Sequence, residues 1–559
     1  VQVENIREHH DLVYYEGKDA DSVKHKLNLF LPEDVENPPI LIWIHGGAWA
    51  FGGRKFETDL ARAFASDGIA VAAISYRLSP GTWKNPKFDE GVQHPEHIKD
   101  VARAFSWVYK NAKSFDYDQN SIFVSGYSAG GHLSALLAMD PSYLSEVRRS
   151  VREIKGAIPI AGAYDIAAYH ESHLRYNGRD MAEKHVQAVF GNTPKQFKNA
   201  SPTFYIENQW IPMLVISEKD TYGYTQLLEH AASQANYKTM DFYHAKDMNH
   251  GQLLRDLAKP KNSKYRSLIV DYIQKNQADY SYLEMKDINL AYKIFGQGEP
   301  LFILNGGPGF SSHNFVSLAQ KFSKNHLVVL FDQRGTGFSK LAEPNEDNVT
   351  MSAMVEDMEA IRRHLGLREI TLFGQSFGGI YAMSYAAKYP EHVKGMILSH
   401  SGGMNMDFLN TVDKRLTSNL EETDRIALAE LDEVQNPDLR SMKQSKALAG
   451  GYLFYKKNKD KVFRGLAFNS RYHPRINQLL WADLRETNYD VVDTMKQFTK
   501  PVLIIHGEND IVDPKHAVFM HAIFPNSTFE LLKNCAHYGW LDAPGEYFKA
   551  IDDFFKKNG

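Results

Sequence analysis

Twice along the 559 residues, a β-like apolar run ends in a Gly-x-Ser-x-Gly turn and gives way to a helical pattern. Gly126-Tyr127-Ser128-Ala129-Gly130 follows Ile122-Phe123-Val124, and Gly374-Gln375-Ser376-Phe377-Gly378 follows Ile370-Thr371-Leu372-Phe373. After each serine come an aspartate and a histidine in the same order: Asp220 and His250, then Asp510 and His537. With Gly at about 7% of residues and Ser assumed similar, chance yields roughly 0.2 such turns in this length. Two turns, each between a strand and a helix and each with ordered partners, constrain the chain to two copies of one plan.

The flanking pattern agrees. Leu27–Leu31, Ile40–Ile44, Ala70–Ser75, Ala157–Ile160 and Met213–Ile216 are short apolar runs separated by helix-like stretches. Runs of this kind are buried on both faces of a parallel sheet, and their alternation with helices predicts an α/β fold. A helical pattern over Ser263–Gln274 closes the first copy, and the polar stretch Lys275–Asp279 reads as a linker. The plan restarts with Leu301–Leu304 and Val328–Phe331 and ends with Val502–Ile505. The expected organisation is two α/β domains, 1–276 and 277–559, each a mostly parallel sheet flanked by helices. The 50 or so residues between Ile158 and Met213 leave room for a small lid. The second domain carries a helical cap over about 403–495, with helical patterns such as Leu416–Val434.

A serine hydroxyl is a weak nucleophile until an imidazole, itself held by a carboxylate, takes its proton. Ser128, Asp220 and His250 form one expected set, and Ser376, Asp510 and His537 the other. Each aspartate falls just past a buried strand, where a carboxylate emerges toward the site. Glu218 is the rival acid in the first set, and Glu508 or Asp513 in the second; Tyr243-His244 offers a rival base. Backbone N–H groups of glycine-rich loops complete such sites by binding an oxyanion. The candidates are Gly46, Gly47 and Ala129 in the first domain, and Gly307 and Phe377 in the second. Arg77 and Arg334 read as ties between loops, and Cys535 as a small buried side chain.

Composition excludes several classes. A net charge of -4 gives no reason to expect nucleic acid or an anionic surface as partner. No run of about 18 apolar residues exists to span a bilayer. One cysteine rules out an intramolecular disulfide without fixing the compartment, so cytoplasmic and periplasmic or secreted locations both stay open. The chain starts at Val1, which implies loss of a signal peptide or an artificial boundary. No Cys/His metal spacing or phosphate-cradling loop is present, so no cofactor and no metal is expected.

The order Ser, Asp, His is that of the α/β-hydrolases. The first domain resembles their esterase branch, which includes hormone-sensitive-lipase-like enzymes, acetyl-xylan and feruloyl esterases and kynurenine formamidase. The matching pieces are His45-Gly46-Gly47-Ala48-Trp49, Tyr76-Arg77-Leu78-Ser79-Pro80 and Gly126–His132. The second domain is similar to the proline iminopeptidase family through Gly306-Gly307-Pro308-Gly309, Asp332–Ser339 and Gly374–Gly379. It departs from that family at Asn305, where a His is usual, and in lacking the Trp/Glu signature of the cap. Together the resemblances imply a bifunctional serine hydrolase acting on small ester or amide substrates. The first site would be a carboxylesterase and the second an esterase or aminopeptidase. The alternative is one working esterase beside a catalytically silent docking or shielding module. The cap carboxylates Glu421, Glu422, Glu430, Asp432 and Glu433 could hold a cationic amine or simply solvate a helix face.

Overall fold

The computed structural model describes residues 5–208, 211–235, 239–467 and 473–558. The chain divides into two compact units that change over at Ala278–Asp279.

The first unit is an eight-stranded sheet in the order β1-β2-β4-β3-β5-β6-β7-β8. The strands are β1 (Ile6–Val13), β2 (Lys26–Pro32), β3 (Ile40–Ile44), β4 (Ala70–Ile74), β5 (Ile122–Tyr127), β6 (Gly156–Ile160), β7 (Met213–Glu218) and β8 (Met240–Ala245). β2 runs antiparallel to both neighbours, and from β4 to β8 all pairs are parallel. The second unit repeats this order as β9-β10-β12-β11-β13-β14-β15-β16. Its strands are β9 (Ser281–Glu284), β10 (Asn289–Phe295), β11 (Glu299–Leu304), β12 (His326–Phe331), β13 (Ile370–Gln375), β14 (Val393–Ser399), β15 (Val502–Gly507) and β16 (Ser527–Leu532).

The central strands β3, β4, β5, β6, β7, β13 and β15 are buried at every residue, as continuous apolar runs between two helical layers must be. In the first unit, Leu60 and Phe64 of the helix Thr58–Ser66 and Ile269 and Ile273 of the helix Lys264–Asn276 close one face. In the second, the helices Met351–His364 and Phe377–Lys388 close one face, and Val316–Phe322 with Pro544–Asn558 the other. A Phe, Leu or Ile fully buried in this way contributes about 1.5–3 kcal/mol.

The cap of the second unit includes the helices Leu409–Ser418, Glu422–Ala429, Pro437–Leu448, Lys459–Ala467 and His473–Glu486. The pattern expected over Leu416–Val434 is not one helix. It is the end of Leu409–Ser418, the helix Glu422–Ala429 and a 3-10 turn at Glu430–Glu433.

Candidate active sites

Both serines sit on the same corner. Ser128 ends β5 with φ 58° and ψ −116°, and Ser376 ends β13 with φ 57° and ψ −120°. The flanking glycines are dictated by space. A Cβ on Gly130 would lie 1.9 Å from the Ile44 carbonyl oxygen, and one on Gly378 1.9 Å from that of Leu304. Gly126 and Gly374 would meet the next glycine's carbonyl oxygen at 2.4 and 2.3 Å. Each strand can turn into its helix this sharply only if two side chains are missing.

In the first unit, the imidazole of His250 lies with Nδ1 2.9 Å from Oε1 of Glu218, the last residue of β7. This corrects the expectation of Asp220. The Asp220 carboxylate instead accepts the backbone N–H of His250 at 2.9 Å, at the start of the helix His250–Leu257. The physical reason is reach: the extra methylene lets a glutamate at the strand end meet the ring. An aspartate two residues on turns back to satisfy a helix N-terminus. Glu218 is fully buried, which pushes its carboxyl up. Hydrogen bonds from His250, the Asp220 N–H and the Thr221 hydroxyl outweigh burial and hold it below the ordinary range. The Tyr127 hydroxyl donates to the His250 carbonyl oxygen, bracing the histidine from the residue before Ser128. The rival His244 stacks on Tyr222 at 3.9 Å and lies within reach of Ser217 at 3.1 Å, away from this pair.

In the second unit, His537 Nδ1 lies 2.7 Å from Asp510 Oδ1, which also accepts the Val512 N–H at 3.0 Å. Asp513, a rival acid, caps the helix Pro514–Ile523 instead. Burial of Asp510 is complete and pulls its carboxyl up, but the imidazoles of His537 and His506 bring it down to about 2. His506 donates from Nε2 to the Val512 carbonyl at 2.9 Å, and the same nitrogen lies 3.6 Å from Asp510 Oδ2. His400 stacks on His506 and lies 3.6 Å from the buried Cys535 sulfur. Burial pushes that thiol up, so it stays protonated and unreactive. The sequence pattern places His506 only at the end of a buried strand and gives no signal for His400 at the site.

The glycine loops lie against the two serines. A Cβ on Gly46 would meet the Ser128 Cβ at 3.4 Å, and one on Gly306 would meet the Ser376 Cβ at 3.0 Å. Gly47 adopts φ 103° and Gly307 φ 139°, which a side chain would oppose. Ala129 and Phe377 open the helices after the serines, with their N–H groups at the first turn. Arg77 makes a bidentate bond to Asp100 at 2.9 Å on each arm, and Arg334 one to Asp357 at 2.8 and 2.6 Å. Both arginines tie loops, as expected.

A cavity of about 420 Å³ opens above Ser376 and His537, between the sheet and the cap. None of Glu421, Glu422, Glu430, Asp432 and Glu433 lines it. All five are exposed, and Asp432 and Glu422 pair with Arg440 and Arg425.

Comparison with known proteins follows this division. The BD-FAE family model matches residues 27–227, and the family model described as alpha/beta hydrolase fold matches residues 299–544. The proline iminopeptidase of Lactobacillus acidophilus is 28% identical over 284 residues, covering 48% of this chain and 94% of its own. That of Thermoplasma volcanium is 28% identical over 301 residues, covering 51% and 98%. The solved structure of VinJ covers 50% of this chain and 99% of its own at 19% identity and a TM-score of 0.42. The chain is a tandem of two α/β-hydrolase domains, the first esterase-like and the second proline-iminopeptidase-like. No helix among the described residues is long and apolar enough to cross a membrane.

Proposed function

We propose that the chain is a bifunctional serine hydrolase with two active sites. Ser128, His250 and Glu218 form a carboxylesterase site, and Ser376, His537 and Asp510 an esterase or aminopeptidase site. The observation that carries the reading is that each domain pairs a buried carboxylate with Nδ1 of a histidine and sets a serine on the same positive-φ corner after a buried strand.

With Nδ1 committed to the carboxylate, Nε2 is the nitrogen left for the serine. The serine oxygen attacks the substrate carbonyl while its proton passes to Nε2. The alcohol or amine leaves with that proton, giving an acyl-enzyme. Water then attacks, returns a proton through the same imidazole to the serine and frees the acid. The N–H groups of Ala129 and of the Gly46–Gly47 loop stabilise the oxyanion in the first site. Those of Phe377 and Gly307 do so in the second.

A fluorophosphonate probe tests the reading, because it labels only reactive serines. Labelling of both Ser128 and Ser376, each lost in its own alanine variant, is the expected result. Labelling of a single serine would sink bifunctionality and leave the other domain as a silent module.

A further inference from the structure

The lining of the cavity above Ser376 defines what can enter it. Three cap helices present stripes at helical spacing. Leu409, Val412 and Leu416 form an apolar wall from one helix. Ser441, Gln444 and Ser445 come from a second, and Asn477, Gln478 and Trp481 from a third. The Trp481 ring packs edge-on over Phe377, the residue after the nucleophile, at 5.7 Å. Asn477 is committed to the Pro308 carbonyl at 3.0 Å, and Ser445 to that of Ser441 at 2.9 Å. Gln444 and Gln478 line the same cavity from exposed positions and make no hydrogen bond among the described residues, so their neutral amides have donors and acceptors to offer a substrate.

Charge is nearly missing. Apart from His537 and the tyrosines Tyr452 and Tyr538, whose hydroxyls burial keeps protonated, the described lining holds one ionisable side chain, Asp413, which is exposed. The stretch 468–472, outside the described residues, contains no Asp or Glu in its sequence. A cationic amine leaving water needs a close, desolvated counter-charge, and a single exposed carboxylate is a weak one.

We propose that the Ser376 site takes an uncharged ester or amide. Such a substrate has an apolar group for the Leu409–Leu416 wall and hydroxyl or amide groups for Gln444 and Gln478, and no free amino terminus. The assignment rests on Ser376 being a working nucleophile.

The test uses the two-domain Ser128→Ala protein, in which Ser376 is the remaining nucleophile. Prolyl 4-nitroanilide and cyclopentanecarbonyl 4-nitroanilide differ only in the ring ammonium. The neutral compound is expected to have at least tenfold higher kcat/KM. Equal or better turnover of the prolyl compound, especially if lost in Asp413→Asn, overturns the proposal. Gln444→Ala with Gln478→Ala is expected to lower kcat/KM for a glyceryl ester at least tenfold relative to 4-nitrophenyl butyrate. An unchanged ratio overturns the role of the amides. Fluorophosphonate labelling separates the two levels. Absence of Ser376 labelling overturns the catalytic reading and the proposal with it. Labelling combined with a prolyl preference overturns the substrate class alone.

Discussion

Side by side, the two domains repeat their bonding around the nucleophile with different residues. In the first, His45 donates from Nδ1 to the Gly46 carbonyl at 2.6 Å; in the second, Asn305 donates from Nδ2 to the Gly306 carbonyl at 2.9 Å. The carbonyl of His45 receives the Tyr76 hydroxyl, and that of Asn305 the Gln333 amide. The next residue in each case is the arginine clamped by Asp100 or Asp357. The carboxylate that meets the histidine, by contrast, comes from a different position in each domain. Ala161 donates to Ile216 and His400 to Ile505, which marks those two strand positions as equivalent. Glu218 lies two residues beyond the first and Asp510 five beyond the second. The environments differ as well: the His250 side chain is 38% exposed and that of His537 4%. What the fold holds fixed is the serine corner and its glycine loop, while the carboxylate can come from different positions so long as it reaches Nδ1 of the histidine.

The sharpest break in the comparison is separation of the two serines. Ser128→Ala and Ser376→Ala are each expected to lower turnover at their own site by about 10⁶-fold and to spare the other, read on substrates specific to each. Next is the displaced acid. Glu218→Gln should cost about 10⁴-fold in kcat at the first site, and Asp220→Asn less than about tenfold. A larger loss in Asp220→Asn would restore the order read from the sequence. Acid stability comes third. Asp510, held at about 2 against an ordinary 3.8, stabilises the second domain above pH 3.8, and that contribution fades as pH falls toward 2. Thermal unfolding should lose on the order of 2 kcal/mol across that window, and Asp510→Asn should flatten it. Smallest is the loop bond. Asn305→Ala should destabilise the second domain by about 1 kcal/mol, while Asn305→His, which can make the same bond, restores much of it in chemical denaturation.

Much of this was legible in the sequence where packing dictates residue type over a continuous run. Ile40–Ile44 and Val502–Ile505 are buried on both faces and spell themselves out as apolar strings. The edge strands β1 and β16 read Ile-Arg-Glu-His-His-Asp-Leu-Val and Ser-Thr-Phe-Glu-Leu-Leu, because one side of each meets solvent. Polar residues there carry little strand signal on their own. Glu218, visible in the sequence only as the rival to Asp220, ranked second for a different reason. It completes a buried strand, a place where sequence expects an apolar residue, and only the approach of His250 reveals why a carboxylate belongs there. Gln444 and Gln478 come together through the packing of separate helices, which no local pattern encodes.

The corner at each nucleophile has a consequence for the chain's history. A non-glycine residue near φ 58° costs a fold about 1–3 kcal/mol, and glycine in the same place would relieve most of it. Loss of catalysis is therefore a stabilising mutation waiting at both Ser128 and Ser376. A domain retained only as packaging would gain by taking it, so each serine stands where chemistry and folding pull in opposite directions.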